Sequence, residues 1–120
     1  MKYMLLIYAD PDRQVVPGTP EFTARRAAWG ALTEEMEEAG ARVDGAALQP
    51  TDTATTLALR DGEEVVTDGP FAETREMLAG YYVVDAPDLD AALGWARRMP
   101  NLQDGAAIEV RPVMDVTVSA

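Results

Sequence analysis

The run Lys2, Tyr3, Met4, Leu5, Leu6, Ile7, Tyr8, Ala9 decides how the rest of the chain is read, because both of its alternating sets are apolar. Side chains on a strand alternate between faces, so Met4, Leu6 and Tyr8 share one face and Tyr3, Leu5, Ile7 and Ala9 the other. A strand with two apolar faces belongs in a sheet that is covered on both sides. The run is too short to span a bilayer and has no small-residue cleavage site of the secretory kind. A cytoplasmic location is the expectation.

Outward from this strand, Asp10 to Gly18 holds Pro11 and Pro17 and reads as a loop. Thr19 then caps a helix that has Pro20 in its first turn. Phe22, Arg26, Trp29, Leu32 or Thr33, Met36 and Ala39 recur at helical spacing, and Gly40 supplies the stop. A second strand follows near Ala41 to Leu48. Thr53 to Arg60 and Glu63 to Thr67 flank Asp61 and Gly62, the two-residue turn favoured between twisted strands. Met77 to Asp85 reads as a strand, and Asp88 opens a helix with Leu89, Ala92, Leu93, Ala96 and Met99 on its apolar face. Pro100 ends it. Ala107 to Val113 is the last clear strand, and Met114 to Val118 either extends it or leaves as an arm.

The order strand, helix, strand, inserted β-hairpin, strand, helix, strand is that of the α+β ferredoxin-like (split βαβ) sandwich. The 120 residues make one domain, 1–120. Two helices cover one face of such a sheet, yet the first strand is apolar on both. A second copy of the same sheet is the simplest cover, so an isologous homodimer is expected.

A formal net charge of −11 disfavours direct contact with nucleic acid or an anionic membrane. Cysteine is absent, which excludes disulfides, thiolate nucleophiles and iron–sulfur clusters. Histidine is absent too, so the usual neutral-pH base and the commonest transition-metal ligand are missing. No metal and no cofactor are expected. Acid–base chemistry falls to Asp, Glu, Tyr, Arg or the lone Lys2.

The run Asp68, Gly69, Pro70, Phe71, Ala72, Glu73, Thr74, Arg75, Glu76 joins a tight turn to several carboxylates. Gly69 and Pro70 fix a corner, Phe71 is expected to bury an aromatic anchor, and Asp68 is thereby aimed in a definite direction. Asp68, Glu73 and Glu76 suit a general base, a raised-pKa acid or oxygen ligands for a hard cation, with Phe71 and Tyr81 or Tyr82 as apolar surroundings. Two bland alternatives stand beside this. The turn can be structural, with Asp68 capping amides, or Arg75 and Arg111 can pair with these carboxylates in a structural network.

Glu109 and Arg111 sit two apart on the last strand and share a face, either lining a polar patch between sheets or pairing at an edge. Trp29 on the first helix is either core or a ligand-stacking ring. Glu34, Glu35, Glu37 and Glu38 form a solvated helix face, Arg97 and Arg98 complement a helix dipole, and Asp10, Asp12 and Asp52 read as loop carboxylates. The candidate catalytic groups are Asp68, Glu73 and Glu109. The candidate ligand contacts are Gly69, Pro70, Phe71, Arg75, Tyr81, Arg111 and Trp29.

The nine-residue run resembles the signature DGPFAETKE of the DGPF branch of the YCII-related family, Arg75 standing where Lys is usual. Ile108 to Val113 is similar to the IEVRPV stretch near the end of many members, and Gly80, Tyr81, Tyr82 fits their central strand. The resemblance implies a ferredoxin-like domain that pairs into a dimeric α/β barrel with a small-molecule cleft. In shorter relatives a His on the first helix and an Asp near the end of the second are proposed as a catalytic pair. Those places fall at Trp29 and Met99, neither of which transfers a proton, so that pair does not carry over.

Three functions follow as expectations. The first is a cofactor-independent enzyme of lyase or isomerase type that binds a small molecule beside Asp68 and works by carboxylate acid–base chemistry. The second is a non-catalytic ligand-binding or regulatory dimer. The third, suggested by the transcription-related labels of some relatives, is an accessory to a sigma factor, which at this charge requires a protein partner.

Overall fold

The structure is a computed structural model and describes residues 1–72 and 74–116. Its chain order is β1 (Lys2–Ala9), α1 (Pro20–Glu38), β2 (Arg42–Ala47), β3 (Thr55–Arg60), β4 (Glu63–Asp68), β5 (Met77–Asp85), α2 (Leu89–Ala96) and β6 (Ala107–Pro112). Local chemistry explains where the helices start. The Thr19 hydroxyl accepts the Phe22 N–H at 3.3 Å, the Asp88 carboxylate accepts the Ala91 N–H at 2.8 Å, and Pro20 occupies the first turn of α1.

Four strands form one antiparallel sheet in the order β2-β5-β1-β6, the ferredoxin-like arrangement, and β3 and β4 pair separately as a hairpin. Asp61 at φ 51° and Gly62 at φ 80° make the hairpin turn, both angles lying in the left-handed region that a tight turn between twisted strands requires.

Register fixes which side chains face the helices. Tyr3, Leu5 and Ile7 pair with Val84, Tyr82 and Gly80 on β5, and with Pro112, Val110 and Ile108 on β6. Tyr3, Leu5, Ile7 and Val84 are buried on this face against Leu32 and Met36 of α1 and Ala92 and Met99 of the α2 region. The opposite face carries Met4, Leu6 and Tyr8 of β1, each half-buried, beside Tyr81, Val83, Glu109 and Arg111. The two apolar faces of β1 are thus unequally covered within one chain.

The hairpin stands away from the sandwich. Leu57, Leu59 and Val66 are 64%, 73% and 61% exposed, and the radius of gyration of 16.7 Å exceeds the roughly 14 Å of a compact domain of this length.

One expectation needs correction. Phe71 does not anchor the corner: it is 74% exposed. The corner is held by backbone instead, the Gly69 N–H donating to Ala54 O and the Thr56 hydroxyl to Gly69 O, both at 2.7 Å, with Gly69 at φ 107°. The strand expected near Ala41 to Leu48 is present as Arg42–Ala47, with backbone bonds to β5 continuing at Ala41 and Leu48, and it is bulged, the register slipping between Arg42 and Asp44. Of the expected C-terminal arm, residues 114–116 have no regular structure, and the part from Thr117 onward lies outside the described residues.

Candidate functional site

A cleft opens on the helix side of the sheet between α1, β2, the loop after β1 and the turn after α2, with a volume of about 440 Å³. Its floor is made of small residues because two backbones come close there. A Cβ on Gly80 would meet Ala46 O at 2.7 Å, and one on Gly45 would meet the Tyr82 ring at 2.8 Å. A register slip between Ile7 and Tyr8 leaves Ala79 as the extra residue of β5, bending the strand beneath the cleft.

Trp29 forms one wall. Its ring stacks on Tyr82 with centroids 6.2 Å apart and planes at 19°, and Arg42 lies over the same Tyr82 ring at 6.0 Å. The Tyr82 hydroxyl is engaged by Thr33 Oγ1 at 2.7 Å, so it is already satisfied. Trp29 therefore belongs both to the packing around the core and to the cleft.

The polar groups of the cleft come from distant parts of the chain. Arg25 on α1 makes two hydrogen bonds to Asp104, Nε to Oδ2 at 2.8 Å and Nη2 to Oδ1 at 2.9 Å. These bonds hold the Asp104 carboxyl below its ordinary range and raise the Arg25 guanidinium, against an opposing push from desolvation. Asp10, 7% exposed, is the buried charged residue among the described residues. Its Oδ1 accepts the Asp12 N–H at 2.9 Å, and its Oδ2 lies 3.7 Å from Arg75 Nη2. Arg13 donates to the Gln103 carbonyl at 3.3 Å. Two atoms of lining residues, Arg42 Nε and Asn101 Oδ1, are packed away from solvent and have no hydrogen-bond partner among the described residues.

A second, wider recess runs along the motif corner and is lined by Tyr8, Pro50, Asp68, Gly69, Pro70 and Arg75 among others. Asp68 ends β4 there with an exposed side chain, and Phe71 stands outside the lining. Arg75 turns toward Asp10 and Asp12, at 3.7 and 3.9 Å, rather than toward Asp68. Glu73 lies outside the described residues. Glu109 and Arg111 share the open face of the sheet and are hydrogen-bonded to each other. Of the sequence candidates, Trp29 walls the helix-side cleft and Tyr81 borders it from β5 while sharing the opposite face with Leu6; Asp68, Gly69, Pro70 and Arg75 meet at the second recess, and Glu109 with Arg111 lies apart from both.

Sequence reasoning missed Asp10, Arg25, Arg42, Asn101 and Asp104. No spacing marks them as a group. The one local signal was Asp10 itself, a carboxylate placed directly after a wholly apolar strand. Among the described residues, no cluster of three or more Asp or Glu side chains is arranged to hold a metal ion.

Comparison with known proteins agrees with the architecture. Residues 1–117 match the YCII-related domain. The chain belongs to the YCII-related family. An uncharacterised protein of Rhizobium meliloti (strain 1021) is 38% identical over 114 residues, covering 94% of this chain and 92% of that protein.

Proposed function

We propose that this YCII-related protein binds a small organic molecule in the helix-side cleft and acts as a homodimer of the DGPF branch. One observation carries the reading: a cleft of about 440 Å³, within the size range of ligand sites, sets the Trp29 wall beside Arg13, Arg42 and the Arg25–Asp104 pair. The nine-residue run from Asp68 to Glu76 supports the branch assignment. Dimerisation is supported by the half-covered face of Met4, Leu6 and Tyr8 and by the exposed Leu57, Leu59 and Val66 of the hairpin. A cytoplasmic location is part of the same proposal; among the described residues, no helix is long and apolar enough to cross a membrane.

A second reading is turnover without a cofactor, of lyase or isomerase type, through a carboxylate. The favouring observation is Asp10, a buried acid on the cleft lining, backed by Arg75 of the motif. Asp68 and Glu109 offer less for this chemistry, the first being exposed and the second bonded to Arg111. The regulatory alternative, an accessory to a sigma factor, would need a protein partner at a net charge of −11.

The test is a thermal-shift screen of small metabolites on the wild type, Ala47→Trp and Asp68→Asn. Ala47 is exposed at the cleft edge, so a Trp there fills the opening without entering the core. A ligand that raises the Tm of the wild type and Asp68→Asn, but not of Ala47→Trp, supports the cleft. The reverse pattern assigns binding to the recess at the motif.

A further inference from the structure

We infer that the cleft takes an aromatic carboxylate, an inference that rests on the cleft being the binding site. The first support is a local reversal of charge. The chain has 21 acidic and 10 basic residues, yet Arg13, Arg25 and Arg42 line the cleft against Asp10 and Asp104.

Both of those acids already face an arginine. Asp104 is bonded twice by Arg25, and Asp10 faces Arg75. Arg13 donates to the neutral Gln103 carbonyl and adds to the positive field at Asp104. Arg42 meets Glu37 through Nη1 at 3.6 Å, but that glutamate is largely exposed and its attraction is screened by water. Among the described residues this screened contact is the ion pair that Arg42 makes, and its guanidinium lies over the Tyr82 ring at 6.0 Å. A guanidinium beside an apolar wall is matched best by a carboxylate.

The second support is the character of the walls. Trp29 stacks on Tyr82, the Tyr82 hydroxyl is turned to Thr33, and Ile7, Ala9 and Val15 add carbon surface. These walls suit a flat ring system and penalise a sugar or a phosphate ester, whose many hydroxyls or second charge would lose water without replacement.

Calorimetric titration with three probes tests the inference on the intact protein. Indoleacetate carries ring, carboxylate and N–H; indoleacetamide has the same shape without the charge; naphthaleneacetate keeps the charge without the N–H. The wild type is expected to bind indoleacetate and naphthaleneacetate alike, each about tenfold or more tightly than indoleacetamide. Arg42→Gln should abolish the preference for acid over amide, whereas Arg111→Gln, on the far face, should leave it intact. Equal affinity for acid and amide in the wild type overturns the inference without recourse to any variant, and so does a preference that persists in a folded Arg42→Gln. Failure of the underlying site is distinct. Tight acid binding that survives in Ala47→Trp means the anion sits elsewhere, while amide binding lost in Ala47→Trp keeps the cleft and rejects the charge requirement.

Discussion

Asp10 Oδ2 and Arg75 Nη2 lie 3.7 Å apart, joining the buried end of β1 to the exposed motif segment that precedes β5. The contact crosses between the helix-side cleft, which Asp10 lines, and the wider recess, which Arg75 lines. The motif thus touches the enclosed site through a second layer rather than by its own aspartate.

The two ends of that contact should behave differently. Arg75 is mostly exposed, so Arg75→Ala is expected to change unfolding free energy by less than about 1 kcal/mol. Asp10→Ala leaves the Asp12 N–H without its acceptor and should cost about 1–3 kcal/mol. Denaturant titrations of both variants check this, and equal losses would contradict it.

Two glycines make a matched pair. Gly80→Ala drives a methyl against the Ala46 carbonyl, 2.7 Å away across the β2–β5 ladder, and should destabilise by about 1–3 kcal/mol. Gly30 lies within α1 with nothing near its missing Cβ, so Gly30→Ala should stabilise by about 0.5–1 kcal/mol. Thermal melts read both signs.

The Arg25–Asp104 pair gives a pH signature. Hydrogen bonds from Arg25 lower the folded pKa of Asp104 below its ordinary value of 3.8, so the carboxylate binds fewer protons in the folded state than in the unfolded one. Its contribution is fully present above the unfolded value and is lost as pH falls through the lower folded one. Asp104→Asn should therefore reduce Tm at neutral pH, and the gap to wild type should close in strong acid. A gap that grows as the solution is acidified would contradict this account.

The hairpin predicts the assembly. Leu57 and Leu59 lie on one face of β3 with Val66 opposite Leu57, all exposed within the chain. Leu59→Glu is expected to shift the protein from dimer to monomer in light scattering while leaving the helical circular dichroism unchanged. A wild type that is monomeric at micromolar concentration would remove the homodimer from the proposal.

Much of the architecture was legible because it is written in short-range chemistry. The two-sided apolar pattern of β1, the caps Thr19 and Asp88, and the Asp61–Gly62 turn each need only a few neighbouring residues. The cleft was not legible, since Asp10, Trp29, Arg42 and Asn101 are brought together by tertiary packing alone. Which of the two tyrosines faces the helices is fixed by register: Tyr82 pairs with Leu5 on the helix face and stacks on Trp29. Phe71 was read as an anchor from its residue type, whereas backbone hydrogen bonds at Gly69 already hold the corner.

The cleft can be watched directly through its own tryptophan. The chain has two tryptophans: Trp29 lines the cleft and Trp95 lies on α2, stacked under Arg98 at 5.3 Å and outside the lining. Nitrogen–proton correlation spectra recorded during titration with indoleacetate should show the Trp29 indole resonance moving saturably while that of Trp95 stays fixed. A stationary Trp29 signal, with movement confined to the amides around Asp68, would contradict the cleft as the binding site.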